Sequence, residues 1–249
     1  MIATVCGDSL IIPSRSNMTG KSYRDWMNEY LTEKPWYQLG MNLALGSPSD
    51  KQTDGWQAMY LPDQLAGQLR HATIRQSDGS MIPLLQSEQT LFMPQEKVKQ
   101  PLAFIARPNV VFTLFGIIVT VFSIGRFVSG RKVDRWLDHI LFGASGLIGW
   151  FLIVLWHIRD DGVTAWNPTL LYLMPLHIPL VFWATRRNAG AFRALYFAVA
   201  ALLILGGMVL SNIPGWFDVT CPVMLLVRCL INYSLYSSPS HQWTRMYSH

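Results

Sequence analysis

Charge disappears from the second half of this chain in long stretches. Residues 109–125, 140–156, 162–185 and 194–217 contain no Asp, Glu, Lys or Arg, and 219–236 are interrupted only by Arg228. Each run reaches, or nearly reaches once its flanks snorkel, the ~30 Å of hydrocarbon that a helix rising 1.5 Å per residue must cross. The pattern predicts a multi-pass α-helical membrane protein of about five transmembrane helices. Short polar or turn-forming breaks, Gly130-Arg131-Lys132, Arg186-Arg187-Asn188 and Asn212-Ile213-Pro214-Gly215, separate the runs.

Basic residues orient these helices. The loop after the first run carries Arg126, Arg131, Lys132 and Arg135, and the loop after the third carries Arg186, Arg187 and Arg193. The loop after the second has Arg159 offset by Asp160 and Asp161. The positive-inside rule then puts the basic loops and the C-terminal tail in the cytoplasm of a bacterial inner membrane, and the first hundred residues in the periplasm. The expected domains are 1–100 outside, 101–237 in the membrane and a tail at 238–249. Export of the N-terminal part needs a signal, and residues 1–14 have neither a basic start nor an unbroken apolar core. The expectation is that the true start lies upstream, or that this is a natural fragment.

Composition agrees with the membrane class, since 51% hydrophobic and 14% charged residues depart from the soluble average. The net charge of +5 sits mostly in the two basic loops, so topology explains it and nucleic acid is not an expected partner. Anionic phospholipid is. Cys6, Cys221 and Cys229 have no metal-ligand spacing; one disulfide between Cys6 and Cys221 on the outer side is the alternative, but nothing in the sequence pairs them and each is read as a free, buried thiol. No metal or cofactor is expected.

The N-terminal hundred residues read as a small α+β part. Ser22-Tyr-Arg-Asp25 has a capping-box layout before Tyr23, Trp26, Met27, Tyr30 and Leu31 at helical spacing. Pro35 opens a second helix with Trp36, Leu39 and Leu43 on one face, and Gly46 is placed to end it. Tyr60-Leu61-Pro62-Asp63 opens a third helix. Residues 72–75 and 80–85 flank Ser77-Asp78-Gly79 as a β-hairpin, with a further strand at 89–93.

These stretches carry a resemblance. Tyr23-Arg24-Asp25-Trp26-Met27, Tyr30-Leu31, Pro35-Trp36, Leu45-Gly46-Ser47-Pro48-Ser49-Asp50-Lys51 and Met59-Tyr60-Leu61-Pro62-Asp63-Gln64-Leu65 resemble the latter half of the Lnb N-terminal periplasmic domain. The segment from His157-Ile-Arg-Asp-Asp161 through Asn167 to Pro175-Leu176-His177 is similar to the family's membrane part. The resemblance implies the C-terminal half of an NlpC- or papain-like thiol fold and an Lnb-type lipoprotein N-acyltransferase. In that family a cysteine in an Asn-Cys-Ala-Thr-like stretch, activated by a histidine from an earlier strand, passes an acyl group through a thioester to an envelope lipoprotein amine. The resemblance implies that both residues would lie ahead of Met1. Cys6 lacks the motif, and no catalytic residue is assigned in this chain, which as written is expected to be inactive.

The resemblance makes Arg24, Asp50 and Asp63 candidates for substrate binding, with a salt bridge or helix cap as the alternative. His157, Arg159, Asp160, Asp161 and Asn167 form a second candidate set, able to hold a lipid headgroup because Arg pairs with phosphate and carboxylates fix the Arg. An ordinary interfacial loop with Trp156 and Trp166 as belt anchors is the other reading. His177 and Arg228 lie inside apolar runs and are expected to pair with polar groups on neighbouring helices; for Arg228, a contact to Asp218 or snorkelling are alternatives. A non-enzymatic envelope scaffold or lipid-binding protein is the rival functional class.

Overall fold

The computed structural model describes residues 6–92, 102–129, 135–186, 190–211 and 217–237. The breaks expected at 130–132 and 212–215, Arg187 and Asn188, the patch at 2–5, Met93 and the tail at 238–249 lie outside them. In chain order the elements are β1 (Leu10–Ile11), β2 (Met18–Ser22), α1 (Tyr23–Tyr30), α2 (Pro35–Ala44), β3 (Gln52–Asp54), α3 (Gly55–Ala58), α4 (Pro62–His71), β4 (Thr73–Arg75), β5 (Met81–Pro83), α5 (Pro108–Val128), α6 (Arg135–Ile158), α7 (His177–Ala184), α8 (Gly190–Leu210) and α9 (Phe217–Ser237). They form two compact units, Met1–Tyr30 with Asp50–Pro101, and Leu31–Ser49 with Leu102–His249.

The first unit is a small α+β assembly. β1, β4 and β5 form one antiparallel sheet in that order, and β2 pairs antiparallel with β3. The hairpin forms as expected because Gly79 adopts a φ of 87°, open to glycine, and Asp78 accepts from the Ser80 backbone and hydroxyl. The capping box is reciprocal: the Ser22 N–H donates to Asp25 at 2.9 Å and the Asp25 N–H to the Ser22 hydroxyl at 3.1 Å. Trp26, Ala58 and Leu61 make the small core, and the Trp26 indole donates to Thr53 of β3. Residues 89–92 form no strand, a correction to the sequence pattern.

In the second unit, α5, α6 and α8 are long and apolar enough to span a membrane, and α9 has an apolar stretch at Val219–Leu235. α9 packs along α8 and α5, and α6 along α7, around a core that includes Phe142, Leu173, Val181, Phe197, Ile204 and Leu225. The third apolar run differs from its expectation of one continuous helix. It is a loop, a 3-10 turn at Pro168–Leu171 and the eight-residue α7. Pro168 and Pro175 are the cause, since each lacks an N–H, clashes with a preceding carbonyl and drives the residue before it out of the helical region. A hydropathy count does not register this.

Backbone without helical bonding therefore runs deep between α6 and α8. Gly149 sits nine residues before the end of α6, roughly 14 Å into the bundle at 1.5 Å per residue. A methyl group there would collide with the Leu173 carbonyl, and one at Gly146 would come within 2.8 Å of Ile178. Across the segment, a methyl at Gly207 of α8 would meet the Tyr172 ring at 2.8 Å. Glycines let the helices close on the irregular chain, the general use of small residues in membrane packing. Internal bonds satisfy it: the Tyr172 and Leu173 N–H groups both donate to the Thr169 carbonyl.

Gly149→Ala should lower the thermal midpoint of the detergent-solubilised protein by several degrees, on the scale of about 1–3 kcal/mol for overpacking. Gly143→Ala, where a methyl meets nothing within 4 Å, should leave it unchanged or slightly higher. Equal midpoints for the two variants would contradict the close packing at Gly149.

Candidate functional site

The loop joining α6 to α7 is built on local polar contacts. Arg159 forms an exposed ion pair with Asp161, whose carboxylate also accepts from the Val163 N–H at 3.1 Å. The Arg159 guanidinium holds the Asp161 carboxyl below its usual range. Gly162, at a φ of 67°, turns the chain, and Trp166 takes an unusual φ of 52°. Asn167 is a buried staple: its carbonyl accepts from the Thr169 N–H and hydroxyl, and its amide donates to the Leu43 carbonyl at 2.7 Å. His157 is engaged with the Ile153 carbonyl of its own helix, and Asp160 is exposed. Trp156 and Trp166 pack at 5.4 Å between ring centres.

The strand of chain following α2 locks this loop. Gly46 N–H donates to the Val163 carbonyl, and both the N–H and hydroxyl of Ser47 donate to the Trp166 carbonyl. α2 itself ends at Ala44 with Leu45 as its cap, so Gly46 serves a purpose other than helix termination. A methyl at Gly46 would collide with the Ala165 carbonyl.

A second polar centre lies inside the bundle, near the end formed by Val128 and Arg135. Arg228 of α9 and Asp138 of α6 are each 1% exposed and form an ion pair, Arg228 Nε and Nη2 both donating to Asp138 Oδ1 at 2.8 and 2.7 Å. Asn232 donates to the same oxygen at 3.1 Å, and Arg228 Nη1 donates to the Ser123 hydroxyl of α5 at 3.1 Å. Three helices meet at one charge pair. The expectation for Arg228 resolves as a partner on a neighbouring helix, and His177 likewise lies 2.9 Å from the Tyr196 hydroxyl of α8. Nearby, His139 lies 2.6 Å from the Thr185 hydroxyl, and Arg193 donates to the Ala184 and Arg186 carbonyls across the end of α7.

The candidates in the first unit are separate contacts. Arg24 Nε donates to Asp50 at 2.6 Å from a buried position, and the Tyr30 hydroxyl donates to Asp63 at 2.7 Å. The first is the salt bridge foreseen as the structural alternative.

With this geometry, a family model decides what the bundle is. Residues 99–239 match the Lnb transmembrane domain. The chain belongs to the Lnb family. No curated protein and no solved structure matches it. Of the Lnb domain's polar residues, Asp138, Asn232 and Ser123 escaped the sequence pattern. Asp138 fell in the basic break after the first run, in the first turn of α6, where an acid reads as a loop residue. All three cysteines are free as expected, but Cys6 and Cys221 are half-buried and only Cys229 is buried. Among the described residues, no cluster of His, Cys, Asp and Glu is arranged to hold a metal ion.

The Tyr30–Asp63 bond carries a pH signature. Ionised Tyr30 would face the Asp63 carboxylate without a proton to share, which pushes the phenol up to about 12. The folded value lies above the ordinary one, so the stabilisation is present below about pH 10 and is lost as pH rises through about 12. Tyrosine NMR titration, with Tyr30 assigned through Tyr30→Phe, should show Asp63→Asn returning Tyr30 toward its ordinary value. An unaltered titration would contradict the contact.

Proposed function

We propose that this chain carries the membrane part of an Lnb-type lipoprotein N-acyltransferase of the bacterial inner membrane. The family match over residues 99–239 is the observation that carries this. Basic residues Arg126, Arg135 and Arg186 favour a cytoplasmic position for their end of the bundle, with the 157–167 loop and the first unit periplasmic. Membrane phospholipid is the acyl donor in this scheme and the amine of an envelope lipoprotein the acceptor.

Within it the exposed Arg159–Asp161 pair supplies a headgroup contact. The guanidinium can exchange one carboxylate hydrogen bond for a phosphate oxygen, while Asp161 keeps it oriented. Arg24, Asp50 and Asp63 act in the first unit by holding its helices and loops rather than by touching the reacting atoms. Cys6, Cys221 and Cys229 are not the nucleophile: Cys229 lies in the bundle core, and none sits in an Asn-Cys-Ala-Thr-like stretch.

Deleting the gene from its host should leave an envelope lipoprotein with a free N-terminal amine, read by mass spectrometry of its N-terminal peptide. Returning the gene unchanged should restore the acyl group, and returning it with Arg159→Ala should restore less of it. An N-terminus that stays acylated in the deletion strain would overturn the proposal in favour of a lipid-binding scaffold.

A further inference from the structure

We propose that α2 is an interfacial helix of the membrane unit, lying along the bilayer surface with a lipid headgroup and upper-acyl layer as its partner. This does not depend on acyl transfer. It rests on the placement and chemistry of ten residues that the sequence pattern assigns to a soluble domain.

α2, Pro-Trp-Tyr-Gln-Leu-Gly-Met-Asn-Leu-Ala, contains no charged residue. One face turns inward: Asn42 is buried, and Leu43 packs against the bundle core. The other presents Trp36, Tyr37, Gly40 and Met41, of which Tyr37 is 71%, Trp36 44% and Met41 42% exposed. A water-facing helix ordinarily puts polar residues on that side. Here that side holds two aromatic rings and a thioether, with Gln38 at its margin. Aromatic rings with a polar tip are the residues that collect at membrane interfaces.

The helix is fixed at that level at both ends. The Trp36 indole donates to the Ala106 carbonyl at 2.9 Å, two residues before α5 begins, and its ring lies 6.1 Å from Phe112 in the first turns of α5. At the other end the Leu43 carbonyl accepts from Asn167, and Gly46 and Ser47 bond the loop that follows α6. The entry of α5 and the exit of α6 mark one boundary of the spanning bundle, and Trp156 and Trp166 stand at the same boundary. α5, the apolar spanning helix that α2 touches through Trp36 and Phe112, exposes apolar residues beyond that contact, Leu114, Phe115 and Ile118. Anchorage of a charge-free, aromatic face at the entry of an apolar spanning helix selects lipid as the occupant. An interfacial helix needs an apolar face and an anchor rather than great length.

Nitroxide labels at Tyr37→Cys and Met41→Cys test this in the full chain, in a Cys6→Ser, Cys221→Ser background that leaves Cys229 buried. The protein is reconstituted in phosphatidylethanolamine–phosphatidylglycerol vesicles, and collisions with oxygen and with a water-soluble nickel chelate are measured. Leu114→Cys gives the hydrocarbon reference and Gln76→Cys the aqueous one. Labels at 37 and 41 are expected to favour oxygen over nickel several-fold relative to position 76, with a depth shallower than position 114. Nickel accessibility equal to that at 76 would overturn the proposal. Immobile labels reached by neither reagent would also overturn it, and would assign the face to a protein surface.

Discussion

Hydrocarbon offers no hydrogen-bond partner, so every charge and every non-helical peptide group at membrane depth must be answered by the protein itself. Two features of the Lnb bundle follow from that constraint. Asp138 and Arg228, each nearly inaccessible, meet one another, with Asn232 donating to Asp138 and Ser123 accepting from Arg228. The broken third run is enclosed between α6 and α8, where Gly146, Gly149 and Gly207 give it room and Thr169 and Asn167 receive its N–H groups. Neither feature would survive on a lipid-facing surface.

The same constraint connects the interior to the loop. Asn167 is the hinge of this connection, since its carbonyl oxygen starts the 3-10 turn that leads inward while its amide holds Leu43 at the end of α2. Asn167, one of the headgroup candidates, thus also has a structural part. Arg159 and Asp161 remain exposed and paired on the same loop, with chemistry suited to an anionic group. The loop is fixed from both sides of that pair, and the Val163 N–H bonds Asp161 directly.

Charge-free runs made α5, α6 and α8 legible, and a run broken only by Arg228 did the same for α9, because the cost of a charge in lipid writes itself into composition. The third run was legible only in part. Its apolar content met the length criterion, while Pro168 and Pro175 decided its conformation. Local signals served the N-terminal hundred residues well: the Ser22–Asp25 box, Pro35 and Pro62 at helix starts and Gly79 in its turn each act within a few residues. Long-range pairings left no such mark. Leu10 and Ile11 pair with Ile74 and Thr73, and α2 finds its partners at Ala106 and Asn167. The division of α2 from the first unit could not be read from the residues of α2 alone. Asp138 was hidden for a different reason, since a charge near a helix end resembles a loop residue until the facing arginine is known.

A double-mutant cycle on Asp138 and Arg228 probes the constraint most directly. Removing either partner leaves a buried uncompensated charge, a loss of about 3–5 kcal/mol, whereas replacing both by apolar residues is often neutral or stabilising. Unfolding of the detergent-solubilised protein should therefore show Asp138→Leu and Arg228→Leu each strongly destabilised, with the double variant recovering most of the loss. Single variants as stable as the parent, or a double variant in which the two losses add, would contradict a bundle closed around a mutually compensated charge pair.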